Sequence, residues 1–284
     1  MTAAETLAAP APLAAPVIDT HTHLNLHDRY LHGDDVPDPD ALLALAAQAG
    51  VPKVVQIGCD VDYARHSIEL ARTRPNVVVG VSVHPNDAAR LEERSGRAEL
   101  DAALEEIAVL AVDDVVRAVG ETGLDYFRTA KEWREAQKHA FRFHIELAKQ
   151  VGKTLVIHDR DSHDDVLETL ESSGAPEHVV FHCFSGDAAM ARYCAERGWF
   201  MSFAGPVTYK ANDSLREALT VVPDELLLVE TDAPYLTPVP HRGKPNASYL
   251  MPHTVRFMAE HRGVDEATMC GLLYDNAERA FGAW

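Results

Sequence analysis

From position 17 onward the chain alternates two patterns. Short apolar, β-prone runs are separated by longer stretches in which apolar residues recur at helical spacing. The strand-like runs fall at 17–19, 53–57, 77–83, 116–120, 154–158, 178–182, 199–203 and 226–230. The helical stretches fall at 40–49, 62–73, 98–110, 131–150, 162–171, 187–196, 212–221, 251–261 and 266–281. Strands alternating with amphipathic helices predict a parallel sheet wrapped by helices. Eight such units in 284 residues predict an α/β fold of the (β/α)8 TIM-barrel type, one domain over 16–284, with a doubly wound open sheet as second choice. The Pro- and Gly-rich stretch 231–249 follows the last strand and is expected as a long loop at the C-terminal mouth, where such barrels place their chemistry.

Residues 1–15 break the pattern. They are rich in Ala and Pro and lack the basic start of a secretory signal, so they are expected to form a disordered leader on a cytoplasmic protein. No apolar run approaches the roughly 20 residues that cross a bilayer. Cys59, Cys183, Cys194 and Cys270 are scattered, without the pairing of a zinc cluster or disulfide framework, and are expected as reduced, mostly buried thiols. A formal charge of -18 argues against a broad basic surface for nucleic acid. A phosphate-rich substrate would therefore need bound cations to supply positive charge locally. Nothing signals an obligatory protein partner.

His21 and His23 stand two residues apart where the first strand stops, so both imidazoles share one face. Alone, the pair reads as readily as a solvated loop. The remaining strand ends change that, because they carry Glu121, His158, His182 and Asp232. Each has an ordinary use by itself: His158 as a core histidine, Glu121 as a loop carboxylate or an Arg partner, Asp232 as a turn cap. All at one phase of the repeat, they form a ring of imidazoles and carboxylates around one mouth. Such a set suits two cations about 3.5–4 Å apart joined by a carboxylate. His21, His23 and Asp232 are expected on the first, His158 and His182 on the second, and Glu121 between them. A water or hydroxide held there would be the nucleophile, with Asp232 accepting its proton.

These residues lie in motifs through which the chain resembles the TatD-type metal-dependent deoxyribonucleases, of the amidohydrolase-like superfamily of TIM barrels. The motifs are Ile18-Asp19-Thr20-His21-Thr22-His23-Leu24, Val83-His84-Pro85, Gly120-Glu121-Thr122-Gly123-Leu124-Asp125-Tyr126, Val156-Ile157-His158-Asp159-Arg160-Asp161, His182-Cys183-Phe184-Ser185-Gly186 and Glu230-Thr231-Asp232-Ala233-Pro234-Tyr235-Leu236. The resemblance runs from about Val17 nearly to the C-terminus. It implies a phosphodiesterase acting on DNA, trimming from the 3′ end of single-stranded or frayed strands, with two divalent metal ions (Mg, Zn or Mn). It places the ligands on the same residues reached from the strand ends. After Arg242-Gly243-Lys244 the family's usual Arg-Asn-Glu-Pro run reads Pro245-Asn246-Ala247-Ser248, a departure that touches this loop and not the metal ligands.

Other residues have two uses open. His84 faces the mouth and either donates to a phosphate oxygen or packs; Arg242 and Lys244 either contact phosphate or, equally simply, pair with Glu230. Tyr126 stacks on a base or packs at the rim. Asp19 is expected to orient a ligand, and strand alternation should turn the Cys183 sulfur away from the metals. Hydrolysis of an amide, ester or lactone is the competing enzymatic reading. A lysine at the end of the fourth strand would have favoured it, and that position is Glu121. A non-catalytic metal-binding adaptor would be expected to lack some ligands, and none is lacking.

Overall fold

A computed structural model describes residues 7–24 and 38–284. Strands β1 (Ile18–Thr22), β2 (Lys53–Gly58), β3 (Val77–Val81), β4 (Val116–Asp125), β5 (Thr154–Arg160), β6 (Val179–Phe181), β7 (Phe200–Phe203) and β8 (Leu227–Val229) form one sheet in sequence order. Every neighbouring pair is parallel. The ends meet through a parallel bridge between Thr22 and Ala233, with the His23 N–H donating to Ala233 O at 2.8 Å and the Asp232 N–H to His21 O at 2.9 Å. The protein is thus a TIM barrel. Outside the sheet lie α1 (Pro39–Gln48), α2 (Val61–Arg72), α3 (Pro85–Ser95), α4 (Arg97–Leu110), α5 (Arg134–Val151), α6 (His163–Ser173), α7 (Ala188–Glu196), α8 (Asp213–Val221), α9 (Met251–Arg262) and α10 (Glu266–Phe281).

Burial on both faces explains why the strands read as continuous apolar runs, and one core cluster extends from Leu13 to Phe281. Besides a register shift of β4 against β3 at Val79 and Gly80, two departures from simple pairing bear on the site. Three steps along β1, from Asp19 to Thr22, face two along β2, and three along β4, from Val119 to Thr122, face two along β5. Each insertion is a bulge, which re-aims the side chains beside it. His21 sits in the first and Glu121 in the second.

β1 and β4 run further than expected and β6 and β8 stop sooner, so His21 lies inside a strand while His182 and Asp232 lie beyond theirs. Helix α3 was not among the expected helices. Its polar sequence buries only Pro85, Asn86, Ala88 and Ala89, and His84 caps it by accepting from the Asn86 N–H at 3.1 Å. The expected disorder of 1–15 is corrected over 7–15; residues 1–6 lie outside the described ones. Leu13 is buried in the core and its N–H donates to Ala49 O at 3.0 Å. Ala14 N–H donates to Glu266, and the Arg256 guanidinium to the carbonyls of Ala11 and Pro12. Leu13, with Leu7 packed against Tyr249 and Leu250, and four backbone hydrogen bonds dock a segment whose composition alone suggests none. No helix among the described residues is long and apolar enough to cross a membrane.

Candidate metal centre

All six expected ligands converge at the C-terminal mouth of the barrel. Glu121 is the centre of the cluster. Its Oε2 lies 3.3 Å from His21 Nε2, while its Oε1 lies 2.5 Å from His158 Nδ1 and 2.9 Å from His182 Nε2. Asp232 Oδ1 stands 3.7 Å from His21 Nε2 and 3.6 Å from His23 Nε2. Donor atoms thus gather as His21–His23–Asp232 and His21–Glu121–His182, within 4.8 Å in each group. His21 is wholly buried, yet neither ring nitrogen has a hydrogen-bond partner. A buried imidazole ordinarily finds one. That orphan, surrounded by imidazole and carboxylate donors of the type borderline divalent cations prefer, means the residues fit metal ions.

Outer partners fix the rings. His23 Nδ1 bonds to Ile57 O at 3.1 Å, leaving Nε2 aimed at Asp232. His182 Nδ1 donates to Glu230 Oε1 at 3.0 Å, and the same oxygen accepts the Cys183 N–H at 2.7 Å. His158 Nε2 reaches Asp125 Oδ2 at 3.3 Å. Asp19 accepts from the Thr231 N–H and hydroxyl at 2.9 and 2.6 Å and from the His21 N–H at 3.3 Å, tying β1 to the start of the Asp232 loop. Such second contacts set ring orientation and basicity.

The charges are arranged in opposition. Burial pushes the Glu121 carboxyl up, but the charges of His182 and His84 and the hydrogen bonds of His158 and His182 hold it well below its ordinary value. Burial pushes His158 down, and Asp125 and Glu121 more than reverse this, raising it to about 9. His182 is likewise raised, against burial, by Glu121 and Glu230. His21 is lowered by burial and then by the His182 charge. Asp232, pushed up by burial, is brought below its ordinary value by the hydrogen bond with His23 and the charges of His182, His21 and His23. Asp232 and Cys183 both have left-handed backbones, φ 54° and 40°, of the kind that concentrates at functional sites.

A cavity of about 650 Å³ opens on this cluster. His84 lines it with Nε2 3.4 Å from Glu121 Oε1. Because its Nδ1 accepts from the Asn86 N–H, the neutral ring carries its proton on Nε2, the nitrogen that faces the site. Arg242 and Lys244 do not line the cavity: Arg242 stacks on Tyr209, 4.4 Å from its ring centre, and Glu230, the alternative partner, is buried and binds His182 and Cys183 through Oε1, with no hydrogen-bond partner at Oε2 among the described residues. Tyr126 is turned away, its hydroxyl on Asp165 and its ring under Arg134. Cys183 does line the cavity, since the strand ends at Phe181 and alternation no longer governs its direction. In the variant loop, Asn246 is buried and its amide donates to Thr231 O and Tyr235 O at 2.9 and 2.7 Å, clamping the Asp232 turn.

Three members of the cluster were not anticipated in these roles. Cys59, just past β2, has its thiol 3.8 Å from Glu121 Oε2 and groups with His23 and Glu121. Asp125 and Glu230 hold His158 and His182. Applied to the second strand, the same strand-end rule points to Cys59.

A closed parallel barrel with imidazoles and carboxylates around its C-terminal mouth defines the class: a metal-dependent hydrolase barrel. Comparison with known proteins gives the family. The family model for TatD related DNase matches residues 18–282. An uncharacterized metal-dependent hydrolase TatD of Mycobacterium tuberculosis is 41% identical over 272 residues, 94% of this chain and 98% of that protein. A 3'-5' ssDNA/RNA exonuclease TatD of Citrobacter rodentium is 33% identical, over 87% of this chain and 93% of its own. Among solved structures, the TatD homologue YJJV of Escherichia coli superposes with a TM-score of 0.83 at 26% identity, covering 94% of this chain and 98% of that one. The chain belongs to the TatD-related DNase family and is a metal-dependent hydrolase, in a family named for hydrolysis of the ester bonds of DNA.

Proposed function

We propose that the chain is a divalent-metal-dependent phosphodiesterase that shortens DNA from the 3′ end, on single-stranded or frayed strands. The observation that carries this reading is the split of Glu121, with Oε2 toward His21 and Oε1 toward His158 and His182. A carboxylate so placed can serve two donor sets at once. His21, His23 and Asp232 would hold one cation, His158 and His182 the other, and Glu121 both. Bound there, two divalent cations (Mg, Zn or Mn) supply Lewis acidity toward phosphoryl oxygens and acidify water.

The side chains do the rest. Asp232, kept ionised by His23, His21 and His182 and open to the cavity, accepts the proton of the attacking water. His84 offers its Nε2–H to a phosphate oxygen. Glu230 and the Ile57 carbonyl hold His182 and His23 in the tautomers that face inward. Arg128 and Arg160, on the cavity wall, meet phosphates in an otherwise acidic protein. The relative named as an exonuclease of single-stranded DNA and RNA supports the substrate class. Hydrolysis of an amide, ester or lactone is the competing outcome. The test incubates metal-replete protein with labelled single-stranded DNA and with an amide, ester and lactone panel, alongside Asp232→Asn. The expected result is nucleotide release, reduced about 10²- to 10⁴-fold by the substitution; carbonyl turnover with intact DNA would reject the reading.

A further inference from the structure

Among the described residues, Phe127 is the most exposed aromatic side chain of those large apolar residues left in solvent, at 62%. Isolated exposed apolar residues are common and need no function. The setting of this one is different. It lies between Asp125 and Arg128, both on the cavity wall, and its ring rests against the Arg160 guanidinium, 4.0 Å from the ring centre. Among the described residues neither Arg128 nor Arg160 has a carboxylate partner: Asp159, beside Arg160, is engaged by Ser162 and His163. In a chain of charge -18, and on a cavity wall that also carries several carboxylates, these two guanidiniums are left without a carboxylate partner and stand side by side at one edge of the mouth.

The loop that displays Phe127 is also held in place before any ligand arrives. Arg128 N–H donates to Asp125 Oδ1 at 2.8 Å, Thr129 Oγ1 to Asn86 Oδ1 at 2.9 Å, and Gln137 Nε2 to Thr129 Oγ1 at 2.7 Å. Tyr126, bound to Asp165 and Arg134, points the other way and leaves its neighbour facing outward. The ring is therefore a preorganised plate with one face on Arg160 and one open, and ordering it costs little on binding.

We propose that Phe127, backed by Arg160, is the stacking platform for one unpaired base of a single-stranded nucleic acid whose end enters the mouth, with Arg128 and Arg160 meeting the flanking phosphates. This rests on the phosphodiesterase reading and adds its substrate contact. Aromatic rings accept any base face, so the platform is tolerant of sequence, and a base buried in a duplex offers no such face. Selection for unpaired ends follows from the plate itself.

The test uses a phosphorothioate single-stranded oligodeoxynucleotide with 2-aminopurine at its 3′ end, read by fluorescence with metal-replete wild type, Phe127→Ala and Phe127→Trp. Quenching on binding to wild type and Phe127→Trp is expected, with Kd raised about 10- to 100-fold and quenching lost in Phe127→Ala. An oligonucleotide abasic over its 3′-terminal residues should bind wild type and Phe127→Ala alike. Equal Kd and quenching for wild type and Phe127→Ala, or equal weakening on the abasic strand, overturns the proposal. Cleavage of the unmodified strand is measured in parallel. Binding that depends on Phe127 without cleavage keeps the platform and rejects the nuclease; cleavage indifferent to Phe127 does the reverse.

Discussion

Against burial, the carboxylates favour protonated imidazoles around Glu121: Asp125 and Glu121 raise His158, 2.5 Å from Glu121, to about 9, and Glu121 and Glu230 raise His182 as well. A protonated imidazole has no lone pair to give, so metal uptake must expel these protons. The sign follows. Below about 9 protons compete with the cation at His158, and apparent metal affinity should climb as pH rises toward that value. Titration calorimetry in two buffers of different ionisation enthalpy should register at least one proton released per chain near neutral pH; uptake without release contradicts the assignment. Glu230→Gln removes the carboxylate that accepts from His182 and Cys183. Metal affinity, measured by equilibrium dialysis, should fall about 10- to 100-fold with the fold intact.

At the level of elements, Gly123 in β4 has φ 131°, and a Cβ there would lie 2.1 Å from His158 O on β5. Gly123→Ala should therefore push apart the two strands that carry Glu121 and His158, destabilising the protein in urea by about 3 kcal/mol or more. The eight strands were readable because burial on both faces makes each a plain apolar run, and five of them could be scanned for a ligand at the same end. The bulges at His21 and Glu121 were not, since register is decided by a partner strand far away in sequence. Helix α3 stayed hidden behind its charged exterior, although His84 and Pro85 form an ordinary cap and first turn. Composition misled at Leu13, where a buried side chain and the backbone hydrogen bonds around it outweigh an Ala- and Pro-rich context, and alternation misled at Cys183, where the strand had already ended.

For the molecule as a whole, acid sensitivity is built into the barrel. His144, buried between β4 and the end of β3, hydrogen-bonds Thr122 Oγ1 at 2.8 Å and accepts the Val83 N–H at 3.3 Å. Burial drives it down to about 3 from 6.5. The unfolded chain thus binds the extra proton between those values, and stability should be lost progressively as pH falls from about 6.5 toward about 3. Urea unfolding from pH 7 to 4 checks this, and the slope should shrink in His144→Gln. The excess of acidic residues leaves the mouth, with Arg128, Arg160 and the cations it can hold, as the place for a phosphate chain to enter. The most direct test of the shared Glu121 site is to titrate metal-free protein with Mn or Zn while following both bound cations per chain and release of nucleotides from single-stranded DNA. Activity should rise with the second equivalent, and Glu121→Gln should bind at most one tightly and stay inactive; full activity at one equivalent, or in excess chelator, would contradict the account.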